Sequence, residues 1–157
     1  MNSMSVCLWF DSQAEEAADY YVSVFPDSRI IDATRYGEGM PQPAGSVMTV
    51  RFSLDGMEIT ALNGGPLFSF SPAISLAVAC ETQAEVDRLW QALTDGGEES
   101  QCGWLIDRFG VSWQIIPAGL GELLGATDAA AAKRATDAML QMRKLDIAAL
   151  RRAFDGE

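Results

Sequence analysis

The chain carries one pattern twice. Ser12-Gln13-Ala14-Glu15 and Thr82-Gln83-Ala84-Glu85 stand 70 positions apart. Each has the form of a capping box, in which the hydroxyl accepts from the backbone N–H three residues on and the Glu reaches back. Short apolar runs, Val6–Phe10 and Ile74–Val78, precede them and read as buried strands. After the first box, Ala14, Ala17, Ala18, Tyr21, Val24 and Phe25 fall at helical spacing and make one apolar face, which Pro26 ends. After the second, Val86, Leu89, Trp90 and Leu93 repeat that face and Gly96-Gly97 closes it.

Strand-like segments follow each helix. In the first half they are Arg29–Tyr36, Val47–Leu54 and Met57–Leu62, with Asp55-Gly56 as a tight turn between the last two. In the second half they are a short piece near Glu98–Gln101, then Gly103–Asp107 and Val111–Ile116, with Phe109-Gly110 in the turn. Gly37–Gly45 is a Gly/Pro-rich loop without periodicity. The order is therefore β-α-β-β-β, twice, in modules at about 4–64 and 73–117. Two copies at this period point to paired halves rather than a solenoid; two independent capping boxes are the alternative. A helical tail at about 128–154 has no counterpart in the first half. It comprises Ala129–Met142 and Ile147–Phe154, the latter capped by Asp146. It serves either as a cap on the sheet or as an arm to a second copy.

The 157 residues make one domain, with 48% hydrophobic residues as core material. A net charge of −11 argues against phosphate-backbone binding and against anionic membranes. Cys7, Cys80 and Cys102 have no zinc-type spacing and read as reduced thiols, which fits a cytoplasmic protein. No signal peptide and no membrane span is expected.

Four stretches carry a specific resemblance: CLWFDSQAEEAADYYVSVFPDS (7–28), ALNGGPLFSFSPAISL (61–76), CGWLIDRFGVSWQIIP (102–117) and MLQMRKLDIAAL (139–150). Together, in this order, they resemble the PhnB-like branch of the glyoxalase/bleomycin-resistance/dioxygenase superfamily, the vicinal oxygen chelate proteins. That branch often bears the label 3-demethylubiquinone methyltransferase-like. The resemblance spans nearly the whole chain, 1–157. It implies an α+β fold with two βαβββ modules forming a half-barrel around a cavity, C-terminal helices, and a homodimer. It fixes no reaction, because the superfamily includes isomerases, dioxygenases, hydrolases and drug-binding proteins.

Metal-dependent members of that superfamily draw one ligand from the first and last strand of each module. The internal repeat locates those places here. Gln114 stands four residues after Gly110, as Thr60 does after Gly56. Ser75 stands seven residues before Thr82, as Ser5 does before Ser12. The vestigial quartet is thus Ser5, Thr60, Ser75 and Gln114, three hydroxyls and an amide. First-row ions are held by imidazole, thiolate or carboxylate. The chain has no histidine, so a 2-His-1-carboxylate site is excluded. A weak carboxylate site for magnesium or manganese stays open. No metal and no other cofactor is expected.

The expected cavity lining is Cys7, Trp9, Thr60, Asn63, Phe68, Phe70, Ser75, Trp104 and Gln114. Strand alternation places Cys7 and Trp9 with Ser5, Ala73 and Ala77 with Ser75, and Ser112 and Ile116 with Gln114. Leu8, Phe10, Leu76, Val78, Trp113 and Ile115 then face the helices. Trp9 and Trp104 either stack on a flat ligand or fill core; Asn63-Gly64-Gly65 is either a linker turn or, through Asn63, a ligand contact. Cys7 and Cys102 have no basic neighbour in sequence and read as buried structural thiols rather than nucleophiles. Asp107-Arg108 reads as a solvated turn.

These features favour a metal-free protein that binds a small molecule, without naming the molecule or any catalytic residue. A lyase or isomerase with a weakly bound divalent ion, or none, is the alternative; a purely structural role would make the cavity filled core. Methyl transfer has no support, because Gly64-Gly65 and Gly96-Gly97 do not form a Gly-rich loop after the first strand of a parallel sheet.

Overall fold

The computed structural model describes residues 4–157, and the chain divides into two units between Phe70 and Ser71. In the first unit the elements are β1 (Val6–Phe10), α1 (Ala14–Val24), β2 (Arg29–Arg35), β3 (Val47–Leu54) and β4 (Met57–Asn63). They form one mixed sheet of order β1-β4-β3-β2, with β1 parallel to β4 and the other pairs antiparallel. The second unit repeats the plan with β5 (Leu76–Cys80), α2 (Gln83–Thr94), β6 (Glu98–Glu99), β7 (Trp104–Ile106) and β8 (Ser112–Pro117), in the order β5-β8-β7-β6. Three helices follow: α3 (Leu120–Leu124), α4 (Ala129–Met139) and α5 (Ile147–Asp155). The class is α+β, with the expected two βαβββ modules.

Apolar patterning explains the layers. Every residue of the expected face of α1 is buried, from Ala14 through Phe25, as are Val86, Leu89, Trp90 and Leu93 of α2. Against α1 the sheet turns Leu8, Phe10, Val50, Phe52, Ile59 and Ala61, all buried. Against α2 it turns Leu76, Leu105, Trp113 and Ile115. The other face of each sheet has no helix of its own module on it.

The internal symmetry is visible in the ladders. Cys7 pairs with Thr60, and Ala77 pairs with Gln114. Cys7 and Ala77 are separated by the same 70 positions as the two boxes, so the repeat is a repeat of register.

Only one of the two capping boxes forms. Thr82 Oγ1 accepts from Glu85 N and Glu85 reaches back to Thr82 N. At α1 the N-cap is Gln13 and no side chain of its own segment caps it. Asn63 does so instead, its Oδ1 accepting from Ala14 N at 2.8 Å. The reason is topological: Phe10 pairs with Asn63, so the end of β4 lies at the foot of α1 and its amide displaces the local hydroxyl.

β5 starts at Leu76 rather than Ile74. Ser71 and Pro72 fold a turn in which Ala73 N donates to Ser71 Oγ and Ile74 N to Ser71 O. The parity of the strand is unchanged, so Leu76 and Cys80 still point inward.

The tail docks on its own second module. Cys102 (φ 58°) and Gly103 (φ 84°) both have left-handed backbone, which aims their N–H groups at Met142 O (2.8 Å) and Arg143 O (2.7 Å). A Cβ on Gly103 would meet Ile115 O at 2.8 Å, so glycine is required there. Gln83, the second residue of the Thr82–Glu85 box, clasps the tail with both ends of its amide. Nε2 donates to Leu145 O and Oε1 accepts from Ile147 N. Leu145 is fully buried with Leu120 and Leu150. Lys144, 2.6 Å from Asp87, and Gln83 hold the Asp87 carboxyl below its usual range. These demands end α4 at Met139, short of the expected Met142.

Candidate functional site

The face of each sheet turned away from its own module's helix is the candidate site; in the second module the tail cluster of Leu120, Leu145 and Leu150 packs on that face at Ile116. On the first sheet, register sets Asp32, Arg51, Thr60 and Cys7 in one row across β2, β3, β4 and β1. Cys7 is exposed, not buried as expected, and Thr60 is half-buried. Ser5 lies exposed just before β1. The row contains a charged group that sequence reasoning missed. Arg51 donates to both Asp32 oxygens (Nη2 to Oδ2, 2.7 Å) and to Glu58 (3.0 Å). The guanidinium holds the Asp32 carboxyl below the usual carboxylate range, and the two acids raise the Arg51 pKa. The signal was present in the β2–β3 hairpin: residues on one face of facing strands with opposite charge.

On the second sheet the matching row is Ala77, Gln114 and Trp104. Gln114 Nε2 donates to Ser75 Oγ at 2.9 Å. Two of the four symmetry-derived positions are therefore in direct contact, and Trp104 lies beside Gln114 on the next strand. Ser112, two residues before Gln114 on β8, is 2% exposed, and its Oγ has no hydrogen-bond partner among the described residues.

The other expected lining residues have structural work. Trp9 donates Nε1 to Gly65 O at 2.9 Å and meets Phe68 edge-on at 5.1 Å. A Cβ on Gly64 would lie 2.2 Å from the Trp9 ring, so the Gly-Gly pair lets the chain cross the indole. Phe70 packs edge-on against buried Phe10, and Phe68 is 60% exposed. Asn63 caps α1, donates Nδ2 to Val47 O and accepts from the Tyr36 phenol on its carbonyl.

Asp107 is not solvated. It is 3% exposed and organises the β7–β8 turn: Oδ1 accepts from Phe109 N (2.9 Å) and Val111 N (3.0 Å), and Oδ2 from Trp113 Nε1 (2.8 Å). The sequence hides this because a turn aspartate that bonds the backbone two residues on looks like any solvated one. Arg108 pairs with Asp95 at 2.6 Å. Cys80 is the buried thiol, and burial pushes its pKa up to about 11.

A metal site of the superfamily type does not fit these donors. Ser5, Thr60, Ser75 and Gln114 are all neutral, and Gln114 Nε2 donates to Ser75 Oγ. Among the described residues no group of three His, Cys, Asp or Glu side chains converges. The acids nearest the open face of the first sheet, Asp32 and Glu58, are engaged by Arg51.

Two βαβββ modules in tandem are the fold expected from the resemblance, and solved structures share it. A PhnB protein from Bacillus cereus, described as a 3-demethylubiquinone-9 3-methyltransferase, is 35% identical. It aligns over 74% of this chain and 100% of its own, with a TM-score of 0.69. The protein PA1353 from Pseudomonas aeruginosa is 22% identical over 73% of this chain and 98% of its own, with a TM-score of 0.60. The fosfomycin resistance protein FosX from Listeria monocytogenes, solved with Mn(II) and sulfate, is 14% identical over 79% of this chain and 95% of its own (TM-score 0.55). It shares the fold. No curated protein matches. The family model described as 3-demethylubiquinone-9 3-methyltransferase matches residues 2–116. The chain belongs to this PhnB-like family.

Proposed function

We propose that this protein binds a small, neutral to mildly polar organic molecule on the open sheet faces of its modules, without a first-row metal centre. The observation that carries the reading is the Gln114 and Trp104 pair on the second sheet. The two face each other across β8 and β7 and both are half-buried, so a ligand can reach them. The Gln114 amide spends one donor on Ser75, and its oxygen makes no hydrogen bond among the described residues. A ligand hydroxyl or amide would donate to that oxygen, with Trp104 as an apolar neighbour. On the first sheet Thr60 and Cys7 offer a similar pairing of weak hydrogen bonder and soft surface.

The protein works in the cytoplasm as a homodimer in this reading. The net charge of −11 supports a role apart from nucleic acid and anionic membranes, and no helix among the described residues is long and apolar enough to cross a membrane. The methyltransferase description of the family has no supporting feature here: each sheet is a mixed four-stranded βαβββ module rather than a doubly wound one. The lyase or isomerase reading needs a divalent ion or an acid–base pair. The carboxylates of the open face, Asp32 and Glu58, are committed to Arg51.

Native mass spectrometry of protein from its natural host tests the reading. A co-purified small molecule should be found, and Trp104→Ala and Gln114→Ala should each reduce its occupancy about tenfold. Retention unchanged in both variants contradicts the assignment.

A further inference from the structure

We propose a second, separate binding site in the first module: a groove of about 430 Å³ at the foot of α1 that takes a small zwitterion of dipeptide size. It lies at the strand ends, not on the open face, and stands or falls independently of the reading above.

The floor of the groove is fixed. Asn63 ties three elements together there: it bonds Ala14 N of α1, Val47 O of β3 and the Tyr36 phenol. The 37–45 loop that forms a wall is closed at its base, Tyr36 N donating to Ser46 O and Gly45 N to Tyr36 O. Ser46 Oγ further bonds Pro43 O at 2.6 Å. The polar groups of this floor are therefore consumed by the fold, and the groove needs no reorganisation to accept a ligand.

The rim is the opposite. Arg35 lines one side, and Asp11, Ser12, Glu15 and Gln42 line the rest. Arg35 uses Nη1 on Gly45 O at 2.9 Å, which orients the guanidinium and leaves most of its donors unused. The side chains of Asp11, Ser12, Glu15 and Gln42 make no hydrogen bond or ion pair among the described residues. The Ser12 hydroxyl is unused because Asn63 took its capping role. Opposite charges thus line one groove without pairing.

Topology explains the separation. Asp11 follows β1 and Arg35 ends β2, the two outer strands of the order β1-β4-β3-β2. Three strand spacings put their backbones about 14 Å apart. An extended dipeptide spans about 7 Å, which fits between the charges once both side chains lean inward. Its carboxylate would meet Arg35 in a bidentate pair and its ammonium would meet Asp11 and Glu15. The Tyr36 ring offers an apolar wall. A molecule with both charges also enters a chain of net charge −11 without the repulsion an anion would meet.

Calorimetric titration with L-alanyl-L-alanine, its N-acetyl derivative and its C-terminal amide is the test. The free dipeptide should bind with a Kd near the millimolar range. Each derivative should bind about tenfold more weakly, because each removes one charged end. Arg35→Gln should weaken the free dipeptide and leave the amide unaffected, whereas Glu15→Gln should weaken the amide and leave the N-acetyl form unaffected. Both side chains are exposed, so the melting temperatures should not change. No saturable binding of the dipeptide, equal binding of all three compounds, or variants that bind like the parent would each overturn the proposal.

Discussion

Gln114 and Ser75 hold each other, the amide Nε2 donating to the Ser75 hydroxyl at 2.9 Å. In metal-dependent members of the superfamily these are expected to be ligand positions; here they form a neutral hydrogen-bonded pair. Gln114→Glu places a carboxylate where the Ser75 hydroxyl can still donate to it. The account predicts a folded variant whose affinity for Zn(II), Ni(II) or Mn(II), by calorimetry, stays no tighter than about micromolar. A tight one-to-one complex would show that donors elsewhere complete the site.

Asp107→Ala should be among the most destabilising single changes in the second module. It strips acceptors from Phe109 N, Val111 N and Trp113 Nε1 in a buried turn. A loss of about 3–5 kcal/mol in urea unfolding is expected. A loss under about 1 kcal/mol would mean water replaces the carboxylate without cost.

The two helix starts should respond differently to the same mutation. Thr82→Ala removes a formed cap and should cost about 1 kcal/mol, while Ser12→Ala should cost close to nothing. Asn63→Ala should cost more than either, because it unties α1, β3 and the end of β4 together. Chemical denaturation of the three variants checks the order; equal costs for Ser12 and Thr82 would contradict it.

The cysteines should separate by reactivity and by pH. Cys7 is exposed and Cys80 buried, so an alkylating reagent read by mass spectrometry should modify Cys7 first and Cys80 only on unfolding. Burial, aided by the Glu85 charge, raises the Cys80 thiol from 9.0 to about 11. A thiol whose folded pKa is raised favours the neutral form in the fold. Its contribution is intact below about 9 and is lost as pH climbs towards about 11, because the unfolded chain releases its proton first. Cys80→Ala should flatten that alkaline decline. Rapid labelling of Cys80 in the folded protein would oppose this.

Much of the fold is legible in the sequence because it follows from period and repetition. The helix faces from Ala14 to Phe25 and from Val86 to Leu93, the Asp55-Gly56 turn and the strand β3 all come from local pattern. The alignment of Thr60 with Gln114 comes from the duplication, and the Cys7–Thr60 and Ala77–Gln114 ladders carry the same register. What the sequence concealed are bonds between distant segments. The cap on α1 arrives from Asn63, 49 residues away from Ala14. Gln83 grips Leu145 across 62 positions. Arg51 reaches Asp32 only once the hairpin register is known. Asp107 shows the same limit at short range, since burial and not residue type sets it apart from a solvated turn aspartate.

The most direct test of the central claim is thermal melting of chelator-treated protein with Mn(II), Ni(II) and Zn(II), alongside elemental analysis. An ion present at 100 times its Kd would add about 2.7 kcal/mol, or about 5–10 °C for a chain of this size. The account predicts shifts of no more than about 1 °C and far less than one ion per chain. A chelator-reversible shift of about 5 °C or more, with one ion bound per chain, would contradict it.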